Sequence, residues 1–284
     1  MKKTYQGYIY MTLVSLIWGI GYTAVKILLQ VMDPFTLGAA RFIFSLIFFV
    51  PIVIILREKI YRRDLPLLFL MGLTGVALYQ IFYNSGAQGV SAGLGSILIS
   101  TEPIFIYLIS VSLRDEKFNV FKMFGIIISF FGIFLIFVDD IRTISGFISM
   151  ILILLASLSW SLYTIISKNL LQRYSVLFVT SISTVLGTLI ILPFFLNFPS
   201  EFSRFNNLDL FSLVFLVLFT TIIAFYLNFK GIQILSPPNA SVFYYLAPVF
   251  TIASAYLLLH EIINAVTIIG GSLVIAGVAL VNKF

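Results

Sequence analysis

Cysteine is absent from this chain, which excludes disulfides, thiolate catalysis and Cys-based metal sites. There is a single histidine, His260, so no His cluster is at hand for a metal, and neither a metal nor a cofactor is expected. Charge is scarce. Of 284 residues, 10% are Asp, Glu, Lys or Arg, against about a quarter in an average soluble domain. A water-soluble fold of this length could not cover its surface with so few. Acids are the scarcer sign, 11 against 17 Lys and Arg, for a net charge of +6. The excess base does not point to nucleic acid, because the basic residues are scattered over short connections and build no basic face. No Gly-x-x-x-x-Gly-Lys-Ser/Thr motif occurs, so nothing points to ATP use by this chain.

What is present is apolar: 61% of the residues are hydrophobic and the mean hydropathy is +1.12. A bilayer-spanning helix needs about 20 mostly apolar residues. Polar or turn-rich punctuation cuts the chain into ten such segments, at 6–30, 34–56, 66–88, 91–113, 118–138, 145–169, 174–196, 208–231, 237–259 and 263–282. The fold class expected is therefore an all-α polytopic membrane protein. The first apolar run, 7–29, follows Lys2 and Lys3 but is too long for a signal-peptide core and lacks an Ala-x-Ala-like end, so it reads as a retained span. With the N-terminus inside, 13 of the 17 Lys and Arg fall on the inner side; Lys26, Arg41, Arg142 and Arg204 are the rest. That bias predicts both termini in the cytoplasm, in the plasma membrane.

The halves repeat. Gly86, Gln88, Ser91, Ser96, Pro103, Glu116, Gly125 and Gly132 recur 145 residues later as Gly231, Gln233, Ser236, Ser241, Pro248, Glu261, Gly270 and Gly277. The first segments match at a spacing of 142, Trp18 with Trp160 and Lys26 with Lys168. Five spans per half is an odd number, so the second half, 143–284, enters the membrane inverted relative to the first, 1–142. Inverted repeats are typical of secondary transporters, with the substrate site near the midplane between them.

The run Trp18-Gly19, Lys26, Pro34 and Arg41-Phe42, then Pro103, Glu116, Gly125 and Gly132 with their second copies, resembles the EamA family of the drug/metabolite transporter superfamily over essentially the whole chain. The resemblance implies a ten-helix inverted-repeat carrier that moves small metabolites, often outward, by alternating access. It also implies that the third, fourth, eighth and ninth helices, with the first and sixth, line a central cavity. The second copy departs from the first with Ser183 in place of Arg41 and Ala247 in place of Glu102.

Ten of the 11 acids fall in or beside connections, and the eleventh, Glu102, falls mid-segment. A carboxylate at that depth usually faces a protein interior or a water-filled path. It is the candidate proton-coupling or cation-pairing group; the structural alternative is a carboxyl bonded to backbone freed by the neighbouring proline. Arg41 offers a planar fork for a substrate carboxylate or phosphate, or for a static partner such as Glu102. Trp18, Tyr79, Tyr83, Asn84, Trp160, Tyr163, Asn228, Tyr244 and Tyr245 are candidate cavity linings, since ligand sites are mostly apolar or aromatic with few polar groups; ordinary helix packing is the alternative for each. Pro103 and Pro248 each remove a helix hydrogen bond and act as kinks or hinges. Glu116 and Glu261 read as helix-end acids, and His260 as a capping or solvated residue. Gly125 and Gly132, with Gly270 and Gly277, permit close helix contact within or between protomers.

The function expected is a secondary transporter exporting small metabolites such as amino acids. A channel or lipid scramblase on the same scaffold stays open, as does, more remotely, a membrane-embedded enzyme. The partners expected are a small-molecule substrate, the lipid bilayer and protons, with the protein a monomer or homodimer.

Overall fold

The computed structural model describes residues 2–140, 144–262 and 264–283. Arg142 and the junction between the halves lie outside the described residues. Ten helices follow one another: α1 (Lys2–Leu28) and α2 (Pro34–Leu56), α3 (Arg62–Gln88) and α4 (Ala92–Ser112), α5 (Val120–Asp140) and α6 (Ile144–Leu170), α7 (Val176–Phe202), α8 (Asn207–Leu235) and α9 (Pro237–Leu259), and α10 (Ala265–Lys283). Among the described residues, eight are long and apolar enough to cross a bilayer, and α5 and α10 carry shorter apolar stretches. The protein is an all-α polytopic membrane protein, with ten helices among the described residues.

Local chemistry sets the helix ends. Asp33 accepts from the Phe35 and Thr36 N–H groups, and Pro34 opens α2 without an N–H to satisfy. Asn206 and Asp209 form a reciprocal capping box on α8. His260 ends α9 in the left-handed region, φ 55°, its N–H on the Ala255 carbonyl; it is a capping residue. Several spans outrun their sequence limits, the seventh by the most. The seventh segment was expected to stop at 196, yet helical turns continue to Phe202, because Pro193 and Pro199 sit in the first turns of new helical pieces, where a missing N–H costs nothing.

Pro103 and Pro248, at repeat-equivalent places inside spans, act in matched ways. α4 is not one helix through Glu102: it stops at Ile99 and restarts at Glu102, because Pro103 cannot donate and its ring bumps the Ile99 carbonyl. Hydroxyls of α6 cover the break. Ser161 Oγ donates to the Glu102 carbonyl at 3.0 Å, and Thr101 Oγ1 pairs with Ser157 Oγ at 2.9 Å. In α9 the chain tightens into a 3₁₀ stretch, Val242–Leu246, and a fresh α-helix starts at Ala247, the residue 145 positions after Glu102. Widened π-helical turns also recur, at Gly72–Leu78 in α3 and Leu216–Ile223 in α8. Such irregular backbone is tolerated at membrane depth where protein or a cavity lines it.

α5 and α10 pack against each other as an antiparallel pair. A Cβ on Gly132 would lie 2.5 Å from the Gly270 carbonyl oxygen, and one on Gly277 would collide with the Gly125 carbonyl. Ser129 Oγ donates to the Val274 carbonyl at 3.1 Å. Each glycine meets the non-equivalent glycine of the other half, as residues do across a twofold axis. Phe124, Ile127, Phe131, Ile268 and Ile269 face outward from this pair, a surface suited to lipid tails.

Candidate functional site

The interior between α1, α2, α3, α4, α6 and α8 holds a narrow cavity of about 30 Å³, lined by Trp18, Gly21, Tyr22, Arg41, Tyr79, Tyr83, Glu102, Trp160, Thr220 and Phe225, with Val25 and Leu216. That is room for a water or two. Its floor is aromatic. Trp18 and Trp160, the repeat-related pair from α1 and α6, meet edge to face at 5.1 Å, and Tyr79 lies 5.2 Å from Trp160. Tyr79 and Tyr83, four residues apart on one face of α3, stack at 5.7 Å, and Tyr22 sits 5.2 Å from Tyr83.

Two charged side chains close the ring. Arg41 is 7% exposed, and its Nε donates to Thr221 Oγ1 at 2.6 Å. The Thr221 hydroxyl reaches Leu216 O, five residues back, at 2.9 Å, because the π-helical turns of α8 set that carbonyl beyond the usual ladder. The same widening leaves the Thr220 carbonyl to accept from Trp18 Nε1 at 3.0 Å. Glu102 is 2% exposed at the restart of α4. Tyr22, Tyr79 and Tyr83 line the same cavity as Glu102 and Arg41. Among the described residues no ion pair joins Arg41 and Glu102 or engages either of them. A guanidinium and a carboxyl group thus share one small cavity without pairing to each other.

Of the residues the sequence singled out, Trp18, Arg41, Tyr79, Tyr83, Glu102 and Trp160 line this cavity. The others lie elsewhere. Asn84 turns to α2 and donates to the Pro34 carbonyl at 3.0 Å. Tyr163 is fully buried against Phe229 and Trp160. Asn228 accepts from the Tyr244 hydroxyl at 2.6 Å, and Tyr244 flanks Trp18 at 5.6 Å. Tyr245 is buried in the core. Pro103 and Pro248 sit at the helix breaks, Pro103 next in sequence to the cavity residue Glu102. Sequence reasoning missed Tyr22, Thr220, Thr221 and Phe225. Tyr22 was legible, one helical turn after Trp18 on the same face; the two threonines were not, because the π-helical turns that aim them leave no sequence mark.

The charges at the helix ends are structural. Lys26 Nζ donates to the carbonyls of Ala87, Gln88 and Val90, at 2.9, 3.1 and 2.6 Å, and so caps the end of α3. Glu261 serves α4 and not the helix it precedes: its carboxylate accepts from the Ala92 N–H at 2.9 Å. Glu116 pairs with Lys122 at 3.0 Å. Among the described residues no group of three or more His, Asp and Glu gathers to hold a metal.

A continuous bundle of membrane-crossing helices around a buried, charged, aromatic-lined cavity is the build of a membrane transporter. The chain belongs to the EamA-like transporter family, whose model matches it twice, over residues 5–138 and 147–283. It is 31% identical to an uncharacterized transporter of Archaeoglobus fulgidus over 100% of this chain and 99% of that one. It is 30% identical to a probable terminal-alkyne amino-acid exporter of Streptantibioticus cattleyicolor over 78% of this chain and 74% of that one. A crystal structure at 16% identity superposes with a TM-score of 0.64, covering 98% of this chain and 96% of the other, a likeness of fold.

Proposed function

We propose that the chain exports small zwitterionic metabolites, amino acids among them, by alternating access through the cavity of Arg41 and Glu102. The observation that carries this reading is that a guanidinium and a carboxyl group, not paired with each other, face one cavity. A substrate carboxylate suits the guanidinium N–H groups that Thr221 leaves unused, a planar two-point match. A substrate ammonium suits Glu102, with the Trp18 and Trp160 rings beside it. The amino-acid exporter among the relatives supports the substrate class. A buried charge is costly unless paired, so the empty site favours closure only once each charge is met. Glu102 is the proton-coupling candidate: when the ammonium leaves, a proton takes its place on the carboxylate and is carried back.

The repeats in this reading are 1–142 and 143–284, with Pro103 and Pro248 at the matched hinges. The face carrying Arg57, Arg63, Lys168 and Arg173 is cytoplasmic, as are both termini, and the membrane is the plasma membrane. One copy holds the whole cavity, so the transport unit is the monomer, alone or within a homodimer.

The test is exchange of labelled amino acids into liposomes holding the purified protein, with and without a pH gradient, for wild type and Glu102→Gln. Saturable exchange that responds to the gradient and is lost in Glu102→Gln is expected. Undiminished exchange by Glu102→Gln would remove Glu102 from the cycle, and rapid non-saturating flux would favour a channel.

A further inference from the structure

The cavity has a counterpart in the second repeat that is filled. Applying the two repeat spacings, 142 for the first helices and 145 for the later ones, pairs Gly21 with Tyr163, Tyr22 with Thr164, Arg41 with Ser183, Gly75 with Thr220 and Tyr83 with Asn228. The contacts obey the same pairing. A Cβ on Gly21 would meet the Thr220 methyl at 2.7 Å, and a Cβ on Gly75 would run into the Tyr163 ring. On the cavity side the small residue of this contact is on α1, and the space in front of it is open. On the other side the small residue is on α3, and the tyrosine on α6 occupies the space. Its hydroxyl reaches Ser183 Oγ at 3.4 Å, so Tyr163 sits where a guanidinium like that of Arg41 would project.

The surroundings of Tyr163 are polar out of proportion to their burial. Thr164, Ser167, Ser183 and Asn228 are each 0% exposed. Thr164 Oγ1 and Asn228 Nδ2 have no hydrogen-bond partner in this conformation. Orphaned buried donors are costly, a poor arrangement for a permanent core but an ordinary one for a wall that water reaches in another state. Tyr163, Ser183 and Asn228 each lie about two helical turns from the membrane face that carries Lys168 and Arg173.

We infer that Thr164, Ser183 and Asn228 form a second, uncharged polar half-site on the route to that face, and that Tyr163 closes it by packing on Gly75. The ligand class is the same small zwitterion, met here by hydroxyl and amide groups. With Ser183 and Ala247 in place of Arg41 and Glu102, this half-site holds it more weakly, as a transit stretch should. The inference rests on the proposed transport through the first cavity.

The chain has no cysteine, so single-cysteine labelling reads the half-site directly and needs no substrate. Ser183→Cys is placed in vesicles and treated with a charged, membrane-impermeant thiol reagent from either side, alone and with Tyr163→Ala or Gly75→Ala. Labelling from the Lys168 face alone, accelerated about tenfold or more by both second changes, is expected; tenfold corresponds to 1.4 kcal/mol of population shift. An unchanged rate in both folded double variants, or labelling from the opposite face, overturns the inference. Asn228→Cys repeats the reading should Ser183→Cys not fold. Exchange measured in the same vesicles separates the two claims: absent amino-acid exchange with accelerated labelling sinks the substrate reading alone. Normal exchange with unchanged labelling sinks the half-site alone.

Discussion

Where α1 crosses α8, Gly21 lies against Thr220 and leaves space that Arg41, Glu102 and three tyrosines surround; where α6 crosses α3, Tyr163 fills the equivalent space beside Gly75. The two halves share a helix restart at Glu102 and at Ala247 and π-helical turns at Gly72–Leu78 and Leu216–Ile223. Side chains alone make one half of the pair a charged pocket and the other a plugged, neutral one. The membrane faces differ in the same way. On one face Glu261 caps the Ala92 N–H. On the other, the residue equivalent to Ala92 is Pro237, which has no N–H to cap, and Glu116 is committed to Lys122. Under the proposed alternating access, a duplicated scaffold would supply two related conformations, with a few substitutions deciding which is preferred at rest.

Copying the second repeat into the first tests that comparison most severely. Arg41→Ser removes the guanidinium and leaves Glu102 facing a neutral wall; exchange is expected to fall about 100-fold, roughly 2.7 kcal/mol of lost stabilisation. Arg41→Lys keeps charge but not the fork and is expected to recover only part of it. Near-normal initial rates in Arg41→Ser would make the charge asymmetry irrelevant to transport. Gly132→Leu attacks the seam the repeats share, and overpacking against the Gly270 backbone is expected to cost about 1–3 kcal/mol, read as a lower midpoint in thermal unfolding in detergent. An unshifted midpoint would mean that the α5–α10 contact does not hold the halves together. Thr221→Val strips the Arg41 Nε of its acceptor without touching the cavity charge, and is expected to raise KM about fivefold, on the order of 1 kcal/mol, with Thr221→Ser close to wild type. Smallest is Glu261→Gln, which keeps a hydrogen bond to Ala92 but loses the charge at the helix start. About 0.5 kcal/mol of stability is expected to go, with exchange nearly intact.

The spans and the burial of Glu102 were legible because burial in lipid leaves a coarse record: long apolar runs, and one acid out of place. The matched prolines were legible too, but not their effect, since the sequence reads as one helix through Glu102 while the Pro103 ring and the Ser157 and Ser161 hydroxyls of another helix together allow a break. Asn84 and Asn228 looked alike as polar residues in spans. Only tertiary packing separates a carbonyl partner for one from a tyrosine partner for the other. Tyr22 follows a pattern visible in the sequence, whereas Thr221 depends on widened helical turns that no residue spacing announces. The plug at Tyr163 needed both the repeat spacing and the observed contact with Gly75.

The most direct test of a site built for a zwitterion is competition. For whichever labelled amino acid exchanges, the unlabelled compound, its decarboxylated amine and its deaminated acid are added in turn, at equal concentration, to wild-type vesicles. Strong competition by the amino acid and at least about tenfold weaker competition by each half-molecule, one missing its contact with Arg41 and the other its contact with Glu102, is the expected result. Equal competition by the amine or by the acid alone would contradict a cavity that uses both charges.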